Sequence, residues 1–201
     1  MPPALVAATS YYLPVTRTVV GTPVTVQRPN NVNAYAAGQV FGTAADGRFT
    51  LVSPALPTNA QLAGFSTLTC LAVESRAPAD PSLPTVWGYL CLGGFTTVLG
   101  DQVAMALNDA DIDNLVTQAG QVFAFSLAIN TGTGSQTLNA SAGVNGRRGL
   151  VLAFAAPNGI VFPPLTKIGV YFVVSAAYTP AALETLTLIP WWSYAAKVTL
   201  P

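Results

Sequence analysis

Apolar side chains alternate with polar or small ones along most of this chain, and this period of two constrains the fold more than any other feature. Successive side chains of a strand point to opposite faces of its sheet, so this alternation predicts half-buried strands. It is clearest in residues 24–27, 121–130, 150–154 and 168–174. Three other stretches rich in β-branched and aromatic residues predict further strands, namely residues 65–73, 86–92 and 183–189.

Turn-forming residues divide these runs into short segments. The 201 residues include 17 glycines and 16 prolines, and Asp46-Gly47 has the sequence of a hairpin turn. Prolines such as Pro54 and Pro84 end segments, because proline cannot donate a ladder hydrogen bond inside a central strand. We therefore expect an all-β protein, a single-domain, jelly-roll-like β-sandwich of about eight to ten strands, with a barrel as the alternative.

Two segments depart from the strand pattern. Residues 1–15 are apolar, uncharged and interrupted by prolines, which predicts an extended N-terminal arm before a sandwich domain at residues 16–201. Residues 109–119 begin with acids and are followed by Gly120. Acids at the start and a glycine just past the end are typical of a helix, so one short helix is expected there.

The charge content limits the classes of function. Only 8% of the residues are charged, and eight Lys plus Arg balance eight Asp plus Glu. A neutral chain lacks the basic surface that binds nucleic acid or anionic membranes, and its most hydrophobic stretch, residues 168–177, is far shorter than the about 20 residues of a membrane span. The absence of histidine removes Ser-His-Asp and Cys-His catalysis. We expect no enzyme, no cofactor, no nucleic acid and no membrane partner.

A run of alternating aspartates is the strongest candidate for a metal site. Asp109, Asp111 and Asp113 are spaced like the first half of a calcium loop. An EF-hand also needs glycine at its sixth position and glutamate at its twelfth, where this chain has Asn114 and Gly120. Acids favoured at a helix N-terminus are the simpler interpretation, and an irregular calcium site is the alternative.

Other polar candidates favour structural roles. Glu74 and Glu184 are the only glutamates and fall on separate predicted strands, which favours two solvated residues over a glycosidase pair. Cys70 and Cys91 lie in apolar strand-like segments. Two buried free thiols are expected, because free cysteine packs as a small hydrophobe, and a disulfide between neighbouring strands is the alternative.

Aromatic residues near both ends of the chain are the candidate interface residues. Consecutive tryptophans on a strand face opposite ways, so only one of the pair can enter a given core. The other is a surface aromatic or an interface anchor, a position in which Trp and Tyr are enriched. The candidates are Tyr11, Tyr12, Trp191, Trp192 and Tyr194.

Several segments resemble one group of virus proteins. Residues 35–42, YAAGQVFG, resemble the Y-A-A-G-D-V-x-G pattern near the amino terminus of small β-sandwich virion proteins of tailed bacteriophages, some of which decorate the head as cement proteins. Other segments that resemble the group are residues 87–92, 107–112, 167–174 and 176–180. Gln39 stands where the group has an acid, so a role of that acid does not carry over.

The resemblance implies a structural virion protein of the capsid cement or decoration type. Such a protein is made in the host cytoplasm and assembles on the capsid exterior, as a homotrimer bound to the major capsid protein. A coat, tail or baseplate subunit is an alternative within the same class. From another class, a carbohydrate-binding β-sandwich would present Trp87, Trp191 or Trp192 as a stacking platform.

Overall fold

The alternation in the sequence becomes two antiparallel β-sheets in the structure, a computed structural model. It describes residues 12–57, 64–76, 85–92, 94–106, 108, 123–128, 147–153, 160–180 and 182–199. These residues contain no helix, which confirms the all-β prediction for this part of the chain, and the expected helix at 109–119 lies outside it. The strands are β1 (Tyr12–Val20), β2 (Val24–Gln27), β3 (Val40–Phe41), β4 (Phe49–Val52), β5 (Ser66–Arg76), β6 (Thr85–Leu92), β7 (Phe123–Ala128), β8 (Arg147–Ala153), β9 (Ile160–Phe162), β10 (Lys167–Val174) and β11 (Thr185–Thr199).

Strands β11 and β5 of one sheet and β10 of the other each pair with three strands. In the six-stranded sheet the order is β1-β11-β5-β8, with β2 also paired to β11 and β9 to β5. In the five-stranded sheet the order is β3-β10-β6-β7, with β4 also paired to β10. Residues from both sheets form one buried core, so the sheets face each other as in a β-sandwich. The jelly-roll connectivity stays a prediction.

Aromatic side chains fill much of the space between the sheets. Phe49 and Phe172 meet edge to face with ring centroids 5.1 Å apart, and Phe162 and Trp192 do so at 5.6 Å. All four are fully buried. Full burial of such a side chain contributes about 1.5–3 kcal/mol, so these contacts are a main source of the sandwich's stability.

All seven stretches predicted as strands contain one, and the described residues add four more. The total of eleven exceeds the predicted eight to ten. The expected number was wrong partly because β3 has two residues and β9 has three, too few to show an alternation in sequence. Residues 12–15 of the predicted arm belong to β1, while residues 1–11 lie outside the described part, so the domain boundary at residue 15 stays a prediction.

The central strand β11 runs through a proline. On the side of β1 and β2, the pairing with β2 ends at Leu188 and the pairing with β1 begins at Trp191. Pro190 therefore lies opposite the break between β1 and β2, where the Gly21 N–H donates to its carbonyl oxygen at 2.7 Å. A proline is tolerated there because the ladder on that side is already interrupted.

A loop of the same chain covers part of the outer face of the five-stranded sheet. Residues 94–105 pack over β10, whose side chains are buried on both faces after the first. Tyr171 of β10 donates a hydrogen bond to the Thr97 carbonyl at 2.8 Å and accepts one from the Leu99 N–H at 3.0 Å. A Cβ on Gly169 would meet the loop backbone at 3.0 Å, so a larger residue there would crowd the loop.

The cysteines are free thiols as expected, whereas the predicted hairpin turn has another role. Cys70 is half-buried on β5 and Cys91 is buried on β6, in different sheets, and both are free thiols. Asp46-Gly47 does not close a hairpin, because β3 and β4 each pair with β10 and not with each other. Gly47 is instead required by packing, since a Cβ there would lie 2.4 Å from the Val40 side chain.

Two strands continue past the rest of the six-stranded sheet. Residues 12–17 of β1 pair with residues 194–199 of β11, whereas the pairing between β11 and β5 ends at Ser193. We call this two-stranded extension the ribbon. At about 3.3 Å per residue, its six residue pairs span about 20 Å.

Candidate contact surface

An apolar row crosses the outer face of the six-stranded sheet. Val20 on β1, Trp191 on β11 and Cys70 on β5 are directly opposite one another in register, and Ala153 on β8 continues the line. Val20 is 50% exposed and Trp191 is 41% exposed. Adjacent strands are about 4.8 Å apart, so the outer row from Val20 to Cys70 spans about 10 Å across three strands.

The positions beside the outer row are apolar as well. Ile189 and Ala72 are opposite each other on β11 and β5, both half-buried, and Val151 of β8 is next to Ala72 in register. Polar residues begin one step further along the strands, where Glu74 is opposite Thr187. Two adjacent apolar rows therefore form one patch on this face.

The structure places the five predicted interface residues at different positions. Trp191 lies on the outer face and Trp192 is fully buried in the core, as the alternation predicts. Tyr194 is half-buried at the base of the ribbon, and Tyr12 is the first residue of β1. Tyr11 lies outside the described residues. An interface role for these residues stays a prediction, and only Trp191 is part of the exposed patch.

A buried ion pair lies at the end of the sandwich opposite to the ribbon. Arg28 and Asp101 approach to 3.4 Å, with side chains 0% and 3% exposed. Asp101 also accepts hydrogen bonds from the Tyr35 hydroxyl and from the Gly42 N–H, the latter at 3.1 Å. Arg28 donates to the carbonyl oxygen of Asn31 at 2.5 Å. The sequence does not predict this cluster, because its charged residues lie far apart along the chain.

Two tyrosines next to the ion pair connect two of the segments that carry the sequence resemblance. Tyr35, in residues 35–42, stacks on Tyr178, in residues 176–180, with ring centroids 5.1 Å apart. Burial and the hydrogen bond to Asp101 raise the pKa of Tyr35 far above its ordinary value. Burial and the charge of Glu184 do the same to the pKa of Tyr178. Both phenols therefore stay protonated and serve as packing and hydrogen-bonding groups.

The two glutamates do not form a catalytic pair. Glu184 is fully buried beside Tyr178, so the expectation that it is solvated was wrong. Glu74 is half-buried on the outer face of β5. One carboxylate therefore lies inside the sandwich and the other outside it, which is unlike the facing pair that a glycosidase needs.

Neither a metal cluster nor a membrane span is found in the described part of the chain. There, no three His, Cys, Asp or Glu residues converge on a common point. Asp109, Asp111 and Asp113, the predicted alternative calcium ligands, lie outside it. Likewise, no helix among the described residues is long and apolar enough to cross a membrane.

Comparison with known proteins gives only distant structural similarities. No protein-family model and no curated protein matches the chain. A structure of Desmodium yellow mottle tymovirus is 12% identical with a TM-score of 0.29, covering 99% of this chain and 97% of the other. For Mud crab tombus-like virus the values are 14%, 0.30, 99% and 96%. For a semi-empty particle of Macrobrachium rosenbergii nodavirus they are 11%, 0.31, 97% and 100%. Superpositions this loose do not establish a common fold.

Proposed function

We propose that this protein is a structural component of a virion, a cement or decoration protein of a tailed bacteriophage. It binds the major capsid protein on the capsid exterior and stabilises the shell without catalysing a reaction. The outer face of its six-stranded sheet, centred on Trp191, is the surface that meets the capsid.

The observation that carries this proposal is the apolar patch around the outer row. Soluble monomers rarely expose large contiguous apolar patches, and such patches usually mark contacts with partners. Permanent assemblies use larger and more apolar interfaces than transient ones. Trp191 has the residue type most enriched among interface hot spots, and Val20 and Cys70 flank it on the neighbouring strands.

The sequence resemblance supports the same role. Its segments at residues 35–42 and 176–180 meet in the stack of Tyr35 on Tyr178, inside the fold. These motif residues therefore hold two loops together and offer no accessible nucleophile or acid–base pair. A motif that serves packing suits a structural protein.

Cosedimentation with expanded phage heads tests the proposal. We expect Trp191→Ala to raise the dissociation constant about 30-fold or more, because a central tryptophan contributes at hot-spot level. Trp87→Ala is the matched control, since Trp87 is 50% exposed but lies on the five-stranded sheet. Equal effects of the two substitutions, or no binding of the unmodified protein to heads, would contradict the proposed surface.

Three further experiments with the purified protein distinguish the alternative functions. Closed shells formed by the purified protein alone would contradict a cement role and identify a coat subunit. Binding on a glycan array that disappears in Trp87→Ala or Trp191→Ala would indicate a carbohydrate-binding module instead. Attachment to purified tails but not to heads would indicate a tail or baseplate subunit.

A further inference from the structure

We propose that β1 is a self-association edge, which pairs in antiparallel orientation with β1 of a second copy of this chain. The pairing segment is residues 16–20, centred on Thr18. The contact joins the six-stranded sheets of the two copies into one continuous sheet. It goes beyond the proposed function, because it does not depend on what the outer face of the sheet binds.

The strand β1 lies at an edge of the six-stranded sheet. Among the described strands it pairs with β11 alone, so one side of its backbone faces away from the sheet. Val19 is half-buried, and the exposed residues of the segment are Thr16, Arg17, Thr18 and Val20. An edge strand presents backbone N–H and C=O groups with which another chain can pair.

The hydrogen bonds to β11 decide which backbone groups of β1 point outward. The Gly21 N–H donates to the Pro190 carbonyl oxygen at 2.7 Å, in register with the pairing of β1 and β11. In an antiparallel ladder, residue pairs with mutual hydrogen bonds alternate with pairs that have none. The odd-numbered residues of β1 therefore bond to β11, and the even-numbered ones direct their N–H and C=O groups away from it. Within the segment, these outward groups belong to Thr16, Thr18 and Val20.

A contact on the other side of β11 agrees with this assignment. The hydroxyl of Thr69 on β5 donates to the Trp191 carbonyl at 3.1 Å. Trp191 is opposite Val20 in register, so its carbonyl points to β5 and not to β1. Val20 and Trp191 thus form a pair without mutual hydrogen bonds, as the alternation requires.

A proline limits where this edge can pair. Pro14 is an even-numbered residue of β1, so its nitrogen lies on the outward side. Proline has no N–H to donate, and prolines on edge strands oppose pairing with other chains. Residues 16–20 contain no proline and four β-branched residues, which favour strands. Pairing is therefore opposed near Pro14 and permitted at residues 16–20.

The segment is complementary to itself. When Thr18 of one copy lies opposite Thr18 of the other, Thr16 lies opposite Val20 of the second copy. This register uses the three outward N–H groups and the three outward C=O groups of each copy in six hydrogen bonds. Arg17 is then opposite Val19 of the second copy, so the two basic side chains are not directly opposed.

Symmetry favours a second copy over an unrelated peptide. A two-fold axis between the two Thr18 residues closes the contact. Because this axis is perpendicular to the joined sheet, the outer faces of both copies turn the same way. The two Trp191 side chains then lie on one face, about 20 Å apart, from about 4.8 Å per strand and about 3.3 Å per residue. A second copy therefore doubles the exposed apolar patch, which an unrelated peptide strand would not do.

The edge contact is small. Five residues a side are fewer than the about 20–30 of a standard stable interface. The dimer should therefore be reversible in solution, with a population that rises with protein concentration. Light scattering or sedimentation equilibrium over a concentration series measures its dissociation constant.

Proline at the centre of the segment tests the pairing. Thr18→Pro removes two of the six hydrogen bonds, because the position occurs twice in the contact, and should raise the dissociation constant about 30-fold or more. Pro14 occupies an equivalent outward position, so β1 accommodates a proline there. Thr18→Ala is the matched control. It keeps both N–H groups, loses only the contact between the two threonines, and should raise the constant by at most about 5-fold.

Residue-resolved hydrogen exchange separates strand pairing from loss of the fold. In the unmodified protein, the amides of Thr16, Thr18 and Val20 should gain protection as the concentration rises, while those of Arg17 and Val19 stay protected throughout. Thr18→Pro should abolish the gain and keep the constant protection.

Three results would overturn the proposal. These are a monomer at every concentration, equal dissociation constants for Thr18→Pro and Thr18→Ala, and protection of the outward amides that does not depend on concentration. Cover of the edge by another segment of the same chain would give the third result.

Trp191→Ala separates this contact from the proposed capsid contact. It removes the centre of the apolar patch but none of the outward backbone groups of β1, so the dissociation constant of the dimer should stay unchanged. Loss of the dimer in Trp191→Ala would show that the copies associate through the patch, which would contradict the edge contact. These measurements contain no phage heads, so failure of the capsid proposal would not alter them.

Discussion

The ion pair of Arg28 and Asp101 shows how single residues fix the loops at one end of the sandwich. Asp101 joins the guanidinium of Arg28, the hydroxyl of Tyr35 and the backbone of Gly42, which belong to three different positions along the chain. A buried ion pair of this kind is costly to break, because removal of one partner leaves the other buried charge with less compensation.

We therefore expect Asp101→Asn to lower the free energy of unfolding by about 3 kcal/mol or more. Urea unfolding at neutral pH measures the change. Asp46→Asn is the control, since Asp46 pairs with Arg48 at 2.8 Å but both side chains are partly exposed, at 37% and 28%. Exposed pairs contribute at most about 1 kcal/mol, so equal losses in the two variants would contradict the importance of burial.

The pair of Asp46 and Arg48 also predicts how the stability of the protein changes with pH. Burial alone would raise the pKa of Asp46, but hydrogen bonds from Arg48 outweigh it and lower the pKa below its ordinary value. A carboxyl whose pKa is lowered in the folded state stabilises the protein above its unfolded pKa, and this stabilisation is lost as the pH falls through the folded value. Between pH 7 and pH 2, Asp46→Asn should therefore lose slightly less stability than the unmodified protein.

Some single-residue positions follow from the sequence and others do not, for a physical reason. The opposite orientations of Trp191 and Trp192 follow from strand geometry, which is local, and the structure shows them. The burial of Arg28 and Glu184 depends on partners far along the chain. Nothing local distinguishes a charged residue with such partners from a solvated one.

At the level of elements, a strand is predictable from sequence when it is long enough to show its period. The seven predicted stretches meet this condition, whereas β3 and β9 do not. Asp46-Gly47 has the local sequence of a hairpin turn, but the strands on either side of it pair with β10. Which strands pair is decided by contacts across the whole chain, so a turn motif alone does not determine it.

In the loop over the five-stranded sheet, residues 97–99 bond to one side chain of the sheet, while residues 99–105 also bond to the backbone of residues 38–47. The Tyr171 hydroxyl bonds both the Thr97 carbonyl and the Leu99 N–H, and the ring of Phe95 lies 4.8 Å from that of Tyr171. Tyr171→Phe should cost about 1–3 kcal/mol, because the buried Leu99 N–H loses its acceptor. Hydrogen exchange should speed up in residues 95–101 and not in β11.

Tyr89→Phe is the matched control for that prediction. Tyr89 is opposite Tyr171 in register on β6 and half-buried on the same face. Its hydroxyl makes no hydrogen bond to the described part of the loop, so its removal should leave loop exchange unchanged. Faster exchange in both variants would show that general packing of the face, and not the Tyr171 hydroxyl, holds the loop.

At the scale of the whole molecule, the two sheets present different outer faces. A loop of the same chain covers β10 of the five-stranded sheet and leaves Trp87 of β6 exposed, while the six-stranded sheet exposes the patch around Trp191. The ribbon extends from one end in the plane of that second sheet. A molecule bound to a capsid through the patch therefore turns the loop over the five-stranded sheet outward.

The native cysteines make this orientation measurable. Cys70 is half-buried in the outer row, where burial raises the pKa of its thiol, and Cys91 is fully buried. In the free protein we expect slow maleimide labelling of Cys70 that accelerates as the pH rises, because the thiolate is the reactive form. Labelling should stop when the protein is bound to heads.

A second thiol introduced by Val98→Cys, on the loop over the five-stranded sheet, should stay reactive in both states because position 98 is 50% exposed and faces away from the capsid. Protection of position 98 with continued labelling of Cys70 would reverse the proposed orientation and assign the capsid contact to the loop-covered sheet.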